Sequence, residues 1–168
     1  PRVVAPVIEH RTGHERKFAM PERCPICNTI VVRTIGVAMS SCPNTACPAQ
    51  LYELLKHFVS KGGMDIEGMG EKLCAALLDA SLIEDIADVY FITRDDLIKL
   101  DHMADISTDN IINAIYKSKE RPLARVIFAL GILHVGSETA EILTSHFGDI
   151  IPLARAPEEE LVTIPGIG

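Results

Sequence analysis

One five-residue pattern occurs four times along this chain, and few folds accommodate it. Ile66-Glu67-Gly68-Met69-Gly70 aligns with Leu100-Asp101-His102-Met103-Ala104, Ile132-Leu133-His134-Val135-Gly136 and Ile164-Pro165-Gly166-Ile167-Gly168. The last positions of the four copies lie 34, 32 and 32 residues apart. Each of the first three copies is followed four places on by a small residue (Cys74, Thr108, Ala140) and seven places on by an apolar one (Leu77, Ile111, Leu143). A turn that leads into a helix, returning at a fixed period, is the signature of a repeated supersecondary unit.

The intervening sequence is helical in its periodicity. Leu51, Leu54, Leu55, Phe58 and Val59 form one apolar face, and Leu73, Leu77 and Leu78 form another. The same spacing predicts helices over residues 83–90, 94–100, 108–117, 123–130, 138–146 and 157–162. Pro122 and Pro157 suit first-turn positions, while Thr93, Ser107, Ser137 and Ala156 stand at the predicted helix starts. Strands have almost no room. Two helices joined by a glycine-rich turn make a helix-hairpin-helix unit, so the expected fold is mainly α, with tandem units of this kind.

Ahead of the repeats lies a cysteine cluster. Cys24-Pro25-Ile26-Cys27 and Cys42-Pro43-Asn44-Thr45-Ala46-Cys47 form a C-x2-C and a C-x4-C pair separated by fourteen residues. Two such turns bring four thiolates to a tetrahedron with no open position, which suits a structural Zn²⁺; iron in the same cage is chemically allowed but fits less well. In a reducing compartment this spacing favours metal over disulfides. The expectation is a small Cys₄ zinc finger with short β-structure, held by Cys24, Cys27, Cys42 and Cys47. The fifth cysteine, Cys74, lies on an apolar helix face and is assigned to packing.

Taken as a whole, the charge argues against a nucleic-acid partner, since the formal net charge of the 168 residues is −7. Residues 1–61 carry eight Lys and Arg against four Asp and Glu, whereas residues 62–168 carry eight against nineteen. An acidic half can hold DNA only through something other than a broad basic face. Unpaired backbone amides at the start of a helix supply that alternative. There the dipole is positive, the N–H groups point outward, and glycine lets a sugar-phosphate chain approach closely. The expected DNA contacts are therefore Gly68, Met69 and Gly70 with Lys72, then His134, Val135 and Gly136, then Gly166, Ile167 and Gly168. Contacts of this kind read no sequence. His102 and Ala104 replace both glycines of the second copy, which predicts the weakest phosphate site there. Lys117, Lys119, Arg121 and Arg125 precede the third copy and either track a strand of DNA or cap a solvated helix end. With aromatics at 5% and no Trp, base stacking has little support.

Residues 1–8 are rich in Val and Ile with Pro1 and Pro6, as in an edge strand, and residues 10–21 read as a linker. No apolar run approaches the roughly 20 residues a bilayer needs, so a soluble, cytoplasmic chain is expected.

Cys47-Pro48-Ala49-Gln50, Asp65-Ile66-Glu67-Gly68-Met69-Gly70, Arg121-Pro122-Leu123-Ala124-Arg125 and Phe128-Ala129-Leu130-Gly131-Ile132 together resemble the bacterial NAD-dependent DNA ligases. The resemblance spans the chain. It implies the end of an OB-fold strand and a linker over residues 1–20, a Cys₄ zinc finger over 21–50, and a helix-hairpin-helix DNA-binding domain over 51–168 whose fourth hairpin is truncated. It further implies an enzyme that uses NAD and Mg²⁺ to seal 5′-phosphate/3′-hydroxyl nicks in duplex DNA during replication and repair. Its partners would be nicked double-stranded DNA and the adenylation, OB-fold and BRCT domains of the same monomeric polypeptide, in the bacterial nucleoid. No Lys-x-Asp-Gly adenylation motif occurs, so no catalytic residue is assigned and the chain alone is expected to be inactive. A free-standing DNA-binding module and a zinc-dependent protein-interaction domain are the competing readings.

Overall fold

A computed structural model of the chain describes residues 5–33, 39–100 and 105–167. Two compact units divide it, Pro1–Asn44 and Thr45–Gly168. In the first, a short 3-10 helix at Ile8–His10 is followed by exposed chain without regular structure. This corrects the strand expected over residues 1–8 at its C-terminal end, while residues 1–4 lie outside the described residues. The only β-structure among the described residues is a pair of isolated antiparallel bridges, Arg23 with Ile30 and Val32 with Ser41.

The second unit is helical. Helix α1 (Pro48–Val59) opens on a proline, whose missing N–H costs nothing at that position, and buries Leu55, Phe58 and Val59. It is followed by α2 (Glu71–Asp79), a 3-10 helix at Ile86–Phe91, α3 (Arg94–Ile98), α4 (Asp105–Ser118), α5 (Leu123–Ala129), α6 (Ser137–Phe147), α7 (Ile150–Arg155) and α8 (Glu158–Leu161).

Two apolar clusters organise these helices. The larger gathers Leu55, Phe58, Met64, Ile66, Cys74, Leu77, Val89, Leu97 and Ile111, and so joins α1 and α2 to α3 and α4. The smaller gathers Ile127, Ala140, Leu143 and Ile164, joining α5 and α6 to α8. Helix α5 serves both, because Val126 and Ala129 face the first cluster while Leu123, Ala124 and Phe128 line the second. The spacing of the repeat explains this packing. Cys74, Thr108 and Ala140, the small residues four places after each turn, are completely buried, and the apolar residues Leu77, Ile111 and Leu143 are buried beside them. A larger side chain at the first set would push the helices apart.

Several sequence-based boundaries shift. The helix expected over residues 83–90 is a 3-10 helix, entered through Asp85, whose carboxylate accepts the Ala87 N–H at 2.8 Å. Ser107 lies inside α4 instead of at its start, Ser137 is the first residue of α6 behind Gly136, and Pro157 instead of Ala156 precedes α8. Thr93 caps α3 as expected, in a reciprocal arrangement with Asp96. Helix α7, capped by Asp149, was not anticipated; with six residues it is too short to show a clear period.

Candidate nucleic-acid interface and metal centre

Three of the four repeated turns can be compared directly. Met69 N–H donates to Ile66 O at 3.2 Å, Val135 N–H to Ile132 O at 2.9 Å, and Ile167 N–H to Ile164 O at 3.0 Å. The third residue of each turn has a left-handed backbone, with φ of +91° at Gly68, +67° at His134 and +91° at Gly166. This is the signature of a type II turn, for which Pro165 at the second position is well suited. Of the second copy, His102, Met103 and Ala104 lie outside the described residues, as does Gly168.

Behind the first and third turns the chain enters a helix in the same manner. Gly70 (φ −78°, ψ 176°) precedes α2 and Gly136 (φ −83°, ψ −179°) precedes α6, each accepting the first helical bond on its carbonyl. Neither helix start receives a hydrogen bond from a side-chain cap, and a Cβ built on either glycine would meet nothing within 4 Å. Among the other described helix starts only some carry a side-chain cap, and those of α1, α5 and α8 carry none. Asp85, Thr93 and Asp149 accept amides at their own helices, and α1, α5 and α8 begin on or directly after a proline. The carboxylate of Asp88 is held below its usual range, first by the Glu84 N–H, and that of Asp96 by the Thr93 hydroxyl. Carboxylates thus occupy amides at the starts of the 3-10 helix at Ile86–Phe91, α3 and α7, whereas no side chain bonds the amides at the glycine-led starts of α2 and α6.

The side chains around these turns differ. Lys72 is exposed in the first turn of α2. Lys56, which the sequence did not single out, reaches the same place from α1: its ammonium lies 2.9 Å from Glu53 and 3.9 Å from Glu71. It shares a cleft with Met69, Gly70 and Glu71. Glu53 above all raises its pKa. Only the antiparallel return of the chain brings Lys56 there, and sequence spacing could not reveal it. Arg121 and Arg125, by contrast, turn inward to protein partners. Arg121 pairs with Asp65 at 2.6 Å, and Arg125 Nε donates to Gly63 O at 2.8 Å. Lys119 lies over the rings of Tyr116 and Tyr90, at 4.8 and 5.6 Å from their centroids.

The cysteine cluster converges as the spacing predicts. Cys24, Cys27, Cys42 and Cys47 place their Sγ atoms within 4.8 Å of one another, with Cys27 and Cys42 at 3.4 Å and no disulfide formed. A tetrahedral ion with bonds of about 2.3 Å would hold sulfurs roughly 3.8 Å apart, so the cage can bind a metal ion. Asn28, left-handed at φ +58°, closes the first turn by donating to Cys24 O, while Cys24 N–H donates to Thr29 O. Hydrogen bonding by Thr29 holds the Cys27 thiol down to about 5. The Cys42 thiol has a favourable amide at Asn44, but burial and the neighbouring thiols of Cys27 and Cys24 outweigh it and push it up to about 12. Four thiols this close cannot all ionise without a cation between them. Cys74 lies apart, fully buried on the inner face of α2, and burial pushes its thiol up to about 11.

Among the described residues no helix is long and apolar enough to cross a membrane. The helix-hairpin-helix motif family matches residues 125–168. Across its full length the chain is 48% identical to a protein of Dehalococcoides mccartyi, 48% to one of Rubrobacter xylanophilus and 49% to one of Pelotomaculum thermopropionicum, each named DNA ligase. It spans about a quarter of the length of these relatives (26%, 24% and 25%). From its first residue to its last, the chain thus matches a segment of proteins named DNA ligase, and that segment contains a helix-hairpin-helix region.

Proposed function

We propose that this chain is the DNA-gripping segment of an NAD-dependent DNA ligase, one that clamps nicked duplex while the enzyme joins a 5′ phosphate to a 3′ hydroxyl. The observation that carries this reading is the pair of uncapped helix starts led by glycine, at Gly70 and Gly136, each behind a turn with the same hydrogen bond and a left-handed third residue, an entry that none of α1, α3, α5, α7 and α8 shares. Outward amides at a positive helix end bind phosphate without basic side chains, which reconciles an acidic segment with a DNA partner. Gly68, Met69, His134, Val135, Gly166 and Ile167 contribute the turns and Lys72 stands beside the first of them, while Gly168, which follows Ile167 in the sequence, is proposed as a further contact. In the complete enzyme, NAD supplies the adenylate and Mg²⁺ the phosphoryl chemistry, both through domains beyond this segment. Residues 21–50 act as a zinc finger, with Zn²⁺ held by Cys24, Cys27, Cys42 and Cys47 in a closed, structural site, and residues 51–168 as the DNA-binding domain. The segment works as a monomer at the bacterial nucleoid.

The test is a titration of nicked and intact duplex with the wild-type chain and with Gly70→Asp and Gly136→Asp. Aspartate is a good helix cap, so both variants should keep or slightly gain stability while their carboxylates occupy the amides. Affinity should fall about tenfold in each, corresponding to a helix-end contact near the upper end of the known range plus added repulsion. Equal affinity across the three proteins would remove the hairpins from the interface.

A further inference from the structure

The first and third hairpins are tied together by two arginines, and the tie acts on the backbone leading into the first turn. Arg121 Nη2 donates to Asp65 Oδ2 at 2.6 Å, and Asp65, itself left-handed at φ +54°, immediately precedes the turn at residues 66–69. Arg125 Nε donates to Gly63 O at 2.8 Å, and its Nη2 donates to Lys61 O. Three points of the connection between α1 and α2 are thus held from residues that begin the third hairpin. The contact continues along α5: His57 Nε2 lies 2.9 Å from Phe128 O with the two rings 4.8 Å apart, and a Cβ on Gly131 would come within 2.8 Å of Leu54 Cδ1.

Deepening the hairpin reading above, on which this rests, we infer that Arg121 and Arg125 are positioning residues that lock the first hairpin to the third, so that the two amide-lined helix starts meet DNA as one preformed surface. The chemistry favours this over direct phosphate contact. Arg125 uses its planar fork on two neutral main-chain carbonyls, which a lysine ammonium cannot reproduce with the same geometry. Arg121 spends its charge on Asp65, and its Nε is buried. Two anion sites held at a fixed spacing bind a duplex more tightly than the same sites on mobile arms, because the second contact is then made at high effective concentration.

The experiment uses the full chain, a defined duplex and a salt series, with Arg125→Lys, Arg121→Gln and each of these combined with Gly136→Asp. Folding is checked by circular dichroism and thermal melting. Arg125→Lys should bind about tenfold more weakly, with the slope of log affinity against log salt unchanged, since no phosphate contact is lost. In that background Gly136→Asp should cost less than it does in wild type, because the two hairpins no longer act together. Arg121→Gln, which leaves both Arg125 bonds in place, should show the same pattern at roughly threefold, and it decides the question if Arg125→Lys does not fold. Unchanged affinity in the arginine variants would overturn the inference and leave the hairpins as the binding element. A slope reduced by about 0.9 in Arg121→Gln, the variant that removes a cation, would also overturn it, by showing direct phosphate contact. If wild type itself shows no salt-sensitive binding to duplex, the hairpin reading and this inference fall together.

Discussion

The first and third hairpins share a backbone and almost nothing else. Both close the same hydrogen-bonded turn, both carry a left-handed residue at its third position, and both enter a helix through a glycine with open space where its Cβ would stand. Their side chains diverge. In the first, Ile66 and Met69 are buried (3% and 5% exposed), and Gly68 fits against Ile111 with no room for a methyl group. In the third, Ile132 stands out at 51% exposed, Val135 in the place of Met69 is half-buried against the smaller cluster, and the left-handed position is filled by His134. What persists across the repeat is the main chain and its small-residue seat, and what drifts is nearly every group that a side chain could use for recognition. A function carried by backbone amides tolerates that drift.

Metal removal should separate the two hairpins most sharply. Cys47 is both a member of the thiol cage and the residue that precedes α1, the leading helix of the first hairpin. Structural zinc contributes on the order of 10 kcal/mol at sites of this kind. With zinc in the cage as proposed above, chelation followed by amide hydrogen exchange should therefore abolish protection over residues 24–33 and 39–47 and fray the start of α1, leaving α5 and α6 protected. Uniform loss of protection, or none, would break the distinction.

The left-handed position should show the next largest difference. Gly68→Ala imposes a strained backbone and a Cβ 2.8 Å from Ile111 Cγ1, and should destabilise the chain by about 2 kcal/mol in denaturant unfolding. His134→Ala changes neither the backbone nor a buried contact and should stay within about 0.5 kcal/mol. Comparable losses at both would mean that the two turns are equally constrained.

The buried seat of the first helix also responds to pH where that of the third cannot. Burial holds the Cys74 thiol near 11 in the folded chain against an ordinary value of 9.0, whereas its counterpart is Ala140. An acid whose folded pKa is raised contributes stability that is complete below its unfolded pKa and is lost as pH rises through the folded one. Stability should accordingly decline between pH 9 and 11 through Cys74, and Cys74→Ala should flatten that decline while costing about 1 kcal/mol at neutral pH. An unchanged pH profile in the variant would remove Cys74 as its source.

How much of this was legible in the sequence follows from which interactions are local. The turns and the small residues behind them were readable because each depends on neighbours within a few positions, and the four cysteines because two close pairs, fourteen residues apart, carry a metal-ligand spacing of their own. Helix α7 and the caps at Asp85 and Asp149 escaped because elements this short show no period, and their caps are single residues that a loop would use equally well. Arg121 and Arg125 looked like candidates for DNA because sequence reports charge and not direction; their partners lie 56 to 64 residues away. Lys56 was passed over for the same reason, since only the return of the chain brings it beside Gly70 and Glu71.

The smallest expected effect is also the most direct measure of what the third hairpin gives up by keeping His134. A left-handed backbone costs a non-glycine residue about 1 to 2 kcal/mol, while glycine loses more freedom on folding, by roughly 0.5 to 1 kcal/mol. The balance predicts that His134→Gly stabilises the chain by about 0.5 kcal/mol, and the exposed imidazole leaves no buried contact to offset the gain. Denaturant unfolding reads the stability, and a duplex titration on the same variant reads the interface. Greater stability with unchanged affinity would show the turn acting through its amides alone. Greater stability with weaker binding would give the imidazole a part in holding phosphate, and the third hairpin would then differ from the first in chemistry as well as in packing.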